Sequence, residues 1–192
     1  MINIYHKKLD GEWYAAALED DRVFETNFGS NESEVVKQLI ESLPYNTPFQ
    51  MAKKSNQLAE KLLTTLKSMF TGENVSSDFK FEMAHLPKYS KKVLGILAKV
   101  PVGYVTTYGD LAKATGGGPR AVGNVMAANP FAPLIPCHRV VRSDFTLGGY
   151  GGGLDTKRRI LEREDRGYRE ESKVNVDGAA LAVYPVGFIW KD

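Results

Sequence analysis

Three stretches at the start of the chain have strand patterning: Ile2 to Tyr5 and Arg22 to Phe28, where apolar and polar residues alternate, and between them Trp13 to Leu18, which is apolar throughout. A period of two is that of a strand, and the interruptions at Asp10-Gly11 and Glu19-Asp20-Asp21 are hairpin signals. The spacing then lengthens. Val35, Val36, Leu39, Ile40 and Leu43, and after them Leu58, Leu62, Leu63, Leu66 and Met69, recur at helical intervals and predict helices over 32–43 and 56–70. Strands followed by helices predict a small α+β domain. The polar stretch Thr71 to Asp78, with Gly72 and two serines, predicts a linker, so the domains are expected at 1–78 and 79–192.

Beyond Ser90 the pattern is one of short helices. Val93, Leu94, Leu97 and Val100 form one apolar stripe, stopped by Pro101 and Gly103. Thr107 can cap a helix from Tyr108 to Ala114 that ends at glycines 116–118, and Pro119 suits the first position of another helix carrying Val122, Val125 and Met126. Two short helices joined by a glycine turn suggest a helix-turn-helix, although many helical hairpins bind nothing. Pro130, Pro133 and Pro136 then forbid a continuous helix, so Cys137 is expected in a rigid, non-helical bend. Glycines dominate 148–153, and Asp155 can cap a helix holding Lys157, Ile160, Leu161 and Glu164. That loop fits neither a P-loop nor the dinucleotide fingerprint; close approach of backbone to a flat ligand is the better reading. The segment Val174 to Trp190 reads as an extended tail or strand without chemistry.

Charge changes the picture. The net charge of +2 hides 8 Lys+Arg against 12 Asp+Glu in residues 1–78, and 17 against 11 in 79–192. Within 79–159 the count is 12 against 4, the footprint of a nucleic-acid-binding surface or of a solvated basic face. At 43% hydrophobic and 25% charged the chain has the composition of a soluble protein. No apolar run approaches a membrane span, and the N-terminus has no secretory pattern, so a cytoplasmic location is expected. With one cysteine, and with His6 and His85 isolated, neither a metal site nor a cofactor is expected.

The single cysteine lies in Pro136-Cys137-His138-Arg139-Val140. A lone thiol beside an imidazole is a candidate nucleophile, because the thiolate is the reactive form and a nearby base promotes it. An arbitrary Cys-His pair more often marks a small buried hydrophobe next to a core histidine. The surrounding residues reverse that preference.

With Asn129-Pro130 before this motif, Arg120-Ala121-Val122-Gly123 on the preceding helix and Gly149-Tyr150-Gly151-Gly152-Gly153-Leu154 after it, the chain closely resembles the O6-alkylguanine-DNA alkyltransferases, in register from about Tyr89 to Gly167. The resemblance implies an N-terminal α/β domain of ribonuclease-H-like topology. It also implies a C-terminal, mostly helical, winged-helix-like domain that binds double-stranded DNA containing O6-alkylguanine and holds the cysteine; a monomer is expected. Cys137 would take the alkyl group, His138 would draw the thiol proton through a water, and Glu164 would polarise His138. Among the clustered charges of that helix, only the resemblance selects Glu164. Tyr108 would protonate the leaving guanine, and its alternative is a core tyrosine at a helix start.

The resemblance further implies that Arg120 fills the gap left by a flipped nucleotide, where a plain phosphate contact is the alternative. The small residues Ala121, Gly123, Ala127 and Ala128 would let the helix lie against the minor groove. Carbonyls of Cys137 and Val140 would receive the guanine amine, Lys157 would brace the cysteine loop, and Tyr150 would wall the pocket. Asn129 would tie the helix-turn-helix to that loop. Gly151 stands where some members of the family have serine, and the zinc site of some relatives cannot form with one cysteine. Two other classes compete: a cysteine hydrolase using Cys137, His138 and Glu164, and a non-catalytic sensor of damaged DNA, which would lack the cysteine.

Overall fold

The computed structural model describes residues 1–75 and 78–190; Ser76 and Ser77 of the expected linker lie outside the described residues. The chain forms two compact units. The first comprises Met1–Phe70, Asn74–Leu86 and Pro130–Leu134, and the second comprises Thr71–Glu73, Pro87–Asn129 and the chain from Ile135 onward.

In the first unit the strands β1 (Ile2–Leu9), β2 (Glu12–Glu19) and β3 (Arg22–Gly29) form an antiparallel meander. The turn at Asp10 and Gly11 has both residues at positive φ, +48° and +89°, as an Asp-Gly hairpin requires. Helix α1 (Glu32–Ser42), strand β4 (Phe49–Met51), helix α2 (Gln57–Phe70) and strand β5 (Lys80–Phe81) follow. The two short strands add in parallel at the edges, giving the order β4-β1-β2-β3-β5. Asn31 caps α1 by accepting from the Glu34 N–H.

Residues 13–18 are apolar throughout, and Tyr14 to Leu18 are all buried. A helix covers each face of β2: Ala15 and Ala17 pack with Val35 and Leu39 of α1, while Tyr14 meets the Phe70 ring of α2 edge-on. The alanines make room for this. The later segment Pro130–Leu134 belongs to the same unit. There Phe131 is fully buried against Phe81, and Thr26 bonds the carbonyls of Pro130 and Ala132, the latter preceding a cis-proline.

The second unit contains α3 (Lys88–Leu97), β6 (Tyr104–Thr107), α4 (Tyr108–Thr115), α5 (Pro119–Ala127), β7 (Val140–Val141), α6 (Leu154–Glu164), β8 (Ser172–Val176) and β9 (Ala179–Pro185). A 3-10 turn, Val186–Trp190, ends the described chain. The sheet order is β7-β6-β9-β8, with only the β6–β7 pair parallel.

The two helices of the helix-turn-helix start and stop where expected. Thr107 Oγ1 accepts from the Asp110 N–H, Gly116 ends α4 at φ +76°, and Pro119 opens α5. The C-terminal segment differs from a simple tail. It folds as a hairpin about Asp177-Gly178, again with both residues at positive φ, and β9 pairs with β6. Val105, Val141, Leu161 and Val186 form a core that Phe145, Leu147, Tyr184, Ile189 and Trp190 cover. Among the described residues no helix is long and apolar enough to cross a membrane.

Candidate active site

Three prolines rule out a continuous helix before the cysteine, but the expected irregular bend is a single 3-10 turn, Cys137–Arg139. Pro136 has no N–H to donate, yet its carbonyl accepts from Arg139 N at 2.9 Å, and Val140 N bonds back to the Cys137 carbonyl. One tight turn therefore points Cys137, His138 and Arg139 inward. Their exposures are 6%, 0% and 4%.

His138 Nε2 lies 3.0 Å from Glu164 Oε1. Arg139 forks the same carboxylate, Nε donating to Oε2 at 2.9 Å and Nη2 to Oε1 at 2.8 Å, while its Nη1 donates to the Val100 carbonyl at 2.6 Å. Burial alone would raise the Glu164 carboxyl, but His138 and Arg139 outweigh it and hold Glu164 down to about 2. Burial lowers the His138 pKa against the pull of Glu164, so the imidazole is neutral at pH 7. With Nε2–H donating to the carboxylate, Nδ1 carries the lone pair. It is the buried side-chain polar atom that has no hydrogen-bond partner among the described residues. A neutral imidazole with one nitrogen anchored and the other free to accept is a base held in a defined tautomer.

The thiol stands under opposing influences. Burial raises its pKa, while a hydrogen bond from Asn129, the charge of Lys157 and the N–H groups of Cys137 and His138 lower it; the net direction is upward. The resting group is a thiol. Asn129, just past α5, also donates to the Ile135 carbonyl at 2.8 Å and so ties the helix end to the cysteine segment. Lys157 is fully buried, and its Nζ donates to the carbonyls of Val140 at 2.6 Å and Leu147 at 2.5 Å. Burial lowers its pKa to about 8.

Cys137 opens into a pocket of about 310 Å³ lined by Tyr108, Gly123, Met126, Ala127, Gly149, Tyr150 and Gly151. Six of the residues expected at the site thus share one cavity: Tyr108, Gly123, Ala127, Cys137, Tyr150 and Gly151. Burial raises the pKa of both phenols, and a thiolate at Cys137 raises it further, so both keep their protons as donors. Asn129, Val140 and Lys157, expected as pocket residues, are not among the residues that line it. Lys157 spends its donors on the loop carbonyls, and the Val140 carbonyl expected to receive a ligand amine already accepts from Lys157. Ala121 is half-buried outside the lining, and Arg120 projects exposed from the first turn of α5.

Sequence reasoning missed three contributors. Met126 appeared only as a core residue of α5. Arg139 looked like an ordinary basic residue, and nothing in its neighbourhood announces a buried guanidinium. Gly148 could have been noticed within its glycine run: at φ +66°, a Cβ there would come within 3.0 Å of the Tyr108 ring. Glycine lets the loop close on the phenol.

The family described as "6-O-methylguanine DNA methyltransferase, DNA binding domain" matches residues 88–166. Proteins named methylated-DNA–protein-cysteine methyltransferase are similar. That of Methanothermobacter thermautotrophicus is 38% identical over 106 residues, 55% of this chain and 60% of that protein. That of Candida albicans is 34% identical over 125 residues, 62% of this chain and 71% of that protein. The chain spans between about half and two thirds of the length of the first such relatives, 60%, 55% and 47%. The crystal structure of the O6-methylguanine-DNA methyltransferase from Pyrococcus kodakaraensis superposes with a TM-score of 0.67 at 29% identity, covering 85% of this chain and 99% of that one. The chain belongs to the methylated-DNA–protein-cysteine methyltransferase family.

Proposed function

We propose that this protein repairs O6-alkylguanine in double-stranded DNA by moving the alkyl group to Cys137, once per molecule. One observation carries the reading. The only cysteine, backed by the buried row His138–Glu164–Arg139, opens into a pocket walled by a phenol, a glycine loop and the small residues of the second helix of a helix-turn-helix. The thiol proton passes toward His138 Nδ1, the sulfur attacks the alkyl carbon, and the S–C bond forms as the C–O6 bond breaks. The departing guanine takes a proton from Tyr108. No bond is left that water or a neighbouring residue can easily break, so the thioether is final.

The target atom lies within the base stack, so the nucleotide leaves the duplex at a cost of a few kcal/mol. Arg120, exposed at the start of α5, fills the gap in this reading. The exposed Ala127 and small Gly123 let that helix lie close to the groove floor. A reduced lone thiol and action on DNA fit the cytoplasm. Domain boundaries near 78 and action as a monomer belong to the same reading.

The test is incubation with duplex DNA carrying radiolabelled O6-methylguanine, followed by counting and peptide mapping. One equivalent of label on Cys137 is expected, with Cys137→Ala unlabelled yet still retaining DNA. More than one equivalent of repaired guanine per protein, or label on another residue, would overturn the proposal.

A further inference from the structure

We infer that the C-terminal hairpin is a positioning element for the transfer reaction, with Tyr184 and Asp110 holding Tyr108 at the pocket wall. This rests on the alkyl-transfer reading above. The hairpin lies beyond residues 88–166, the stretch that the family shares, and its sequence suggested no role.

The connection begins in the backbone. Strand β6 runs into α4 without an intervening loop, so Tyr108, the first residue of the helix, takes its position from the strand. That strand is paired with the hairpin: Val105 lies opposite Tyr184, Tyr104 opposite Pro185, and Thr106 Oγ1 donates to the Ala182 carbonyl at 2.8 Å.

Side chains then close the first turn. Thr107 Oγ1 accepts from Asp110 N at 3.0 Å and donates to Asp110 Oδ2 at 2.6 Å, and the Tyr184 hydroxyl donates to the same oxygen at 3.1 Å. Lys113 pairs with the other oxygen at 3.3 Å. A carboxylate in the first turn already suits the helix dipole. With a hydroxyl on either side it becomes a rigid link between hairpin and helix, two residues from Tyr108.

The same tyrosine reaches the opposite wall. Its ring meets Phe145 edge-on at 5.1 Å, and Phe145, at φ +62°, sits in the turn that leads into Leu147 and Gly148. Gly148 abuts the Tyr108 ring, and Gly149, Tyr150 and Gly151 line the pocket. Tyr184 therefore holds the helix bearing the proton donor by a hydrogen bond and the glycine wall by ring packing. The Tyr108 hydroxyl is left 3.5 Å from the Gly149 carbonyl, a contact too long to fix it. The outer link sets its place.

Tyr184→Phe keeps the ring packing and removes only the hydroxyl. Single-turnover rates on O6-methylguanine duplex are measured for wild type, Tyr184→Phe, Tyr108→Phe and the double variant, each with its urea midpoint. Tyr184→Phe is expected to slow transfer roughly tenfold, as for loss of a hydrogen bond to a charged group. In the Tyr108→Phe background it should have no further effect, because the positioned proton is already gone. Asp110→Ala, which removes the link from the helix side, should reproduce the loss without adding to that of Tyr184→Phe. Equal rates for Tyr184→Phe and an active wild type would overturn the inference alone, as would a full tenfold loss in the Tyr108→Phe background. An inactive wild type would overturn the transfer reading, and the inference with it.

Discussion

Replacing Glu164 by glutamine should cost stability before it costs chemistry. The carboxylate receives His138 Nε2 and Arg139 Nη2 on one oxygen and Arg139 Nε on the other. An amide keeps a single acceptor oxygen and turns N–H bonds toward one of these donors, leaving a guanidinium that is 4% exposed without its counter-charge. A carboxyl held at about 2 against an ordinary 4.5 corresponds to roughly 3 kcal/mol, at about 1.4 kcal/mol per pH unit. This matches the loss of about 3–5 kcal/mol typical of breaking a buried pair from one side.

Because the folded-state value is depressed, the contribution is complete above about pH 5 and is lost as pH falls from 4.5 toward 2. Of the two tryptophans, Trp190 packs on the core of the second unit, so its fluorescence in a Trp13→Phe background reports unfolding there. Urea midpoints of Glu164→Gln and its parent should differ by about 3 kcal/mol at pH 7, with the gap narrowing at pH 3. Adding Arg139→Met should recover much of the loss, since the stranded charge goes with it. A gap below about 1 kcal/mol at pH 7, or one equal at both pH values, would refute the account. Surviving Glu164→Gln should also transfer alkyl groups more slowly at neutral than at high pH, where the thiol ionises unaided.

Arg120→Ala should weaken repair of duplex DNA while reaction with free O6-benzylguanine stays nearly intact; equal loss on both would assign Arg120 to the pocket. Binding should also weaken steeply with salt, as titrations between 50 and 200 mM, roughly the usual working range, would show. Lys157→Met leaves the carbonyls of Val140 and Leu147 without their shared donor and should cost about 2–3 kcal/mol in urea unfolding, with slower alkyl transfer as the loop loosens. Gly151→Ser should fold as well as the parent, because a Cβ there meets nothing within 4 Å. Its rates on methyl and benzyl substrates should shift relative to each other, and an unchanged ratio would remove position 151 from substrate choice.

The elements with one exposed side were legible in the sequence. The stripes of α1 and α2 and the signals at Thr107 and Pro119 gave their helices within a residue or two, because each signal is local, whereas α3 ends at Leu97, three residues short of the last apolar position of its stripe, Val100. Strand β2 was less clear, since the apolar run Trp13 to Leu18 carries no period of its own and coverage by a helix on each face is a tertiary fact. The C-terminal hairpin could have been read from Asp177-Gly178 between Val174/Val176 and Leu181/Val183, the same cue that marked Asp10-Gly11. At the site, Cys137, His138 and Tyr108 declared themselves through residue type and motif, and Glu164 only through family resemblance. Arg139 did not, because a buried guanidinium is defined by a carboxylate 25 residues away.

The burial of Cys137 has a consequence for damage as well as repair. Peroxide attacks thiolate, and a cysteine only 6% exposed, whose proton is held by its surroundings, presents little of it. Such shelter matters more in a chain with a single cysteine. A sulfenic acid at Cys137 would find no second thiol in the molecule with which to form a disulfide, so oxidation would run on toward sulfinic acid or wait for an outside reductant. The pocket that admits an alkyl group therefore also sets the protein's shelf life, keeping its one usable sulfur reduced until a lesion arrives.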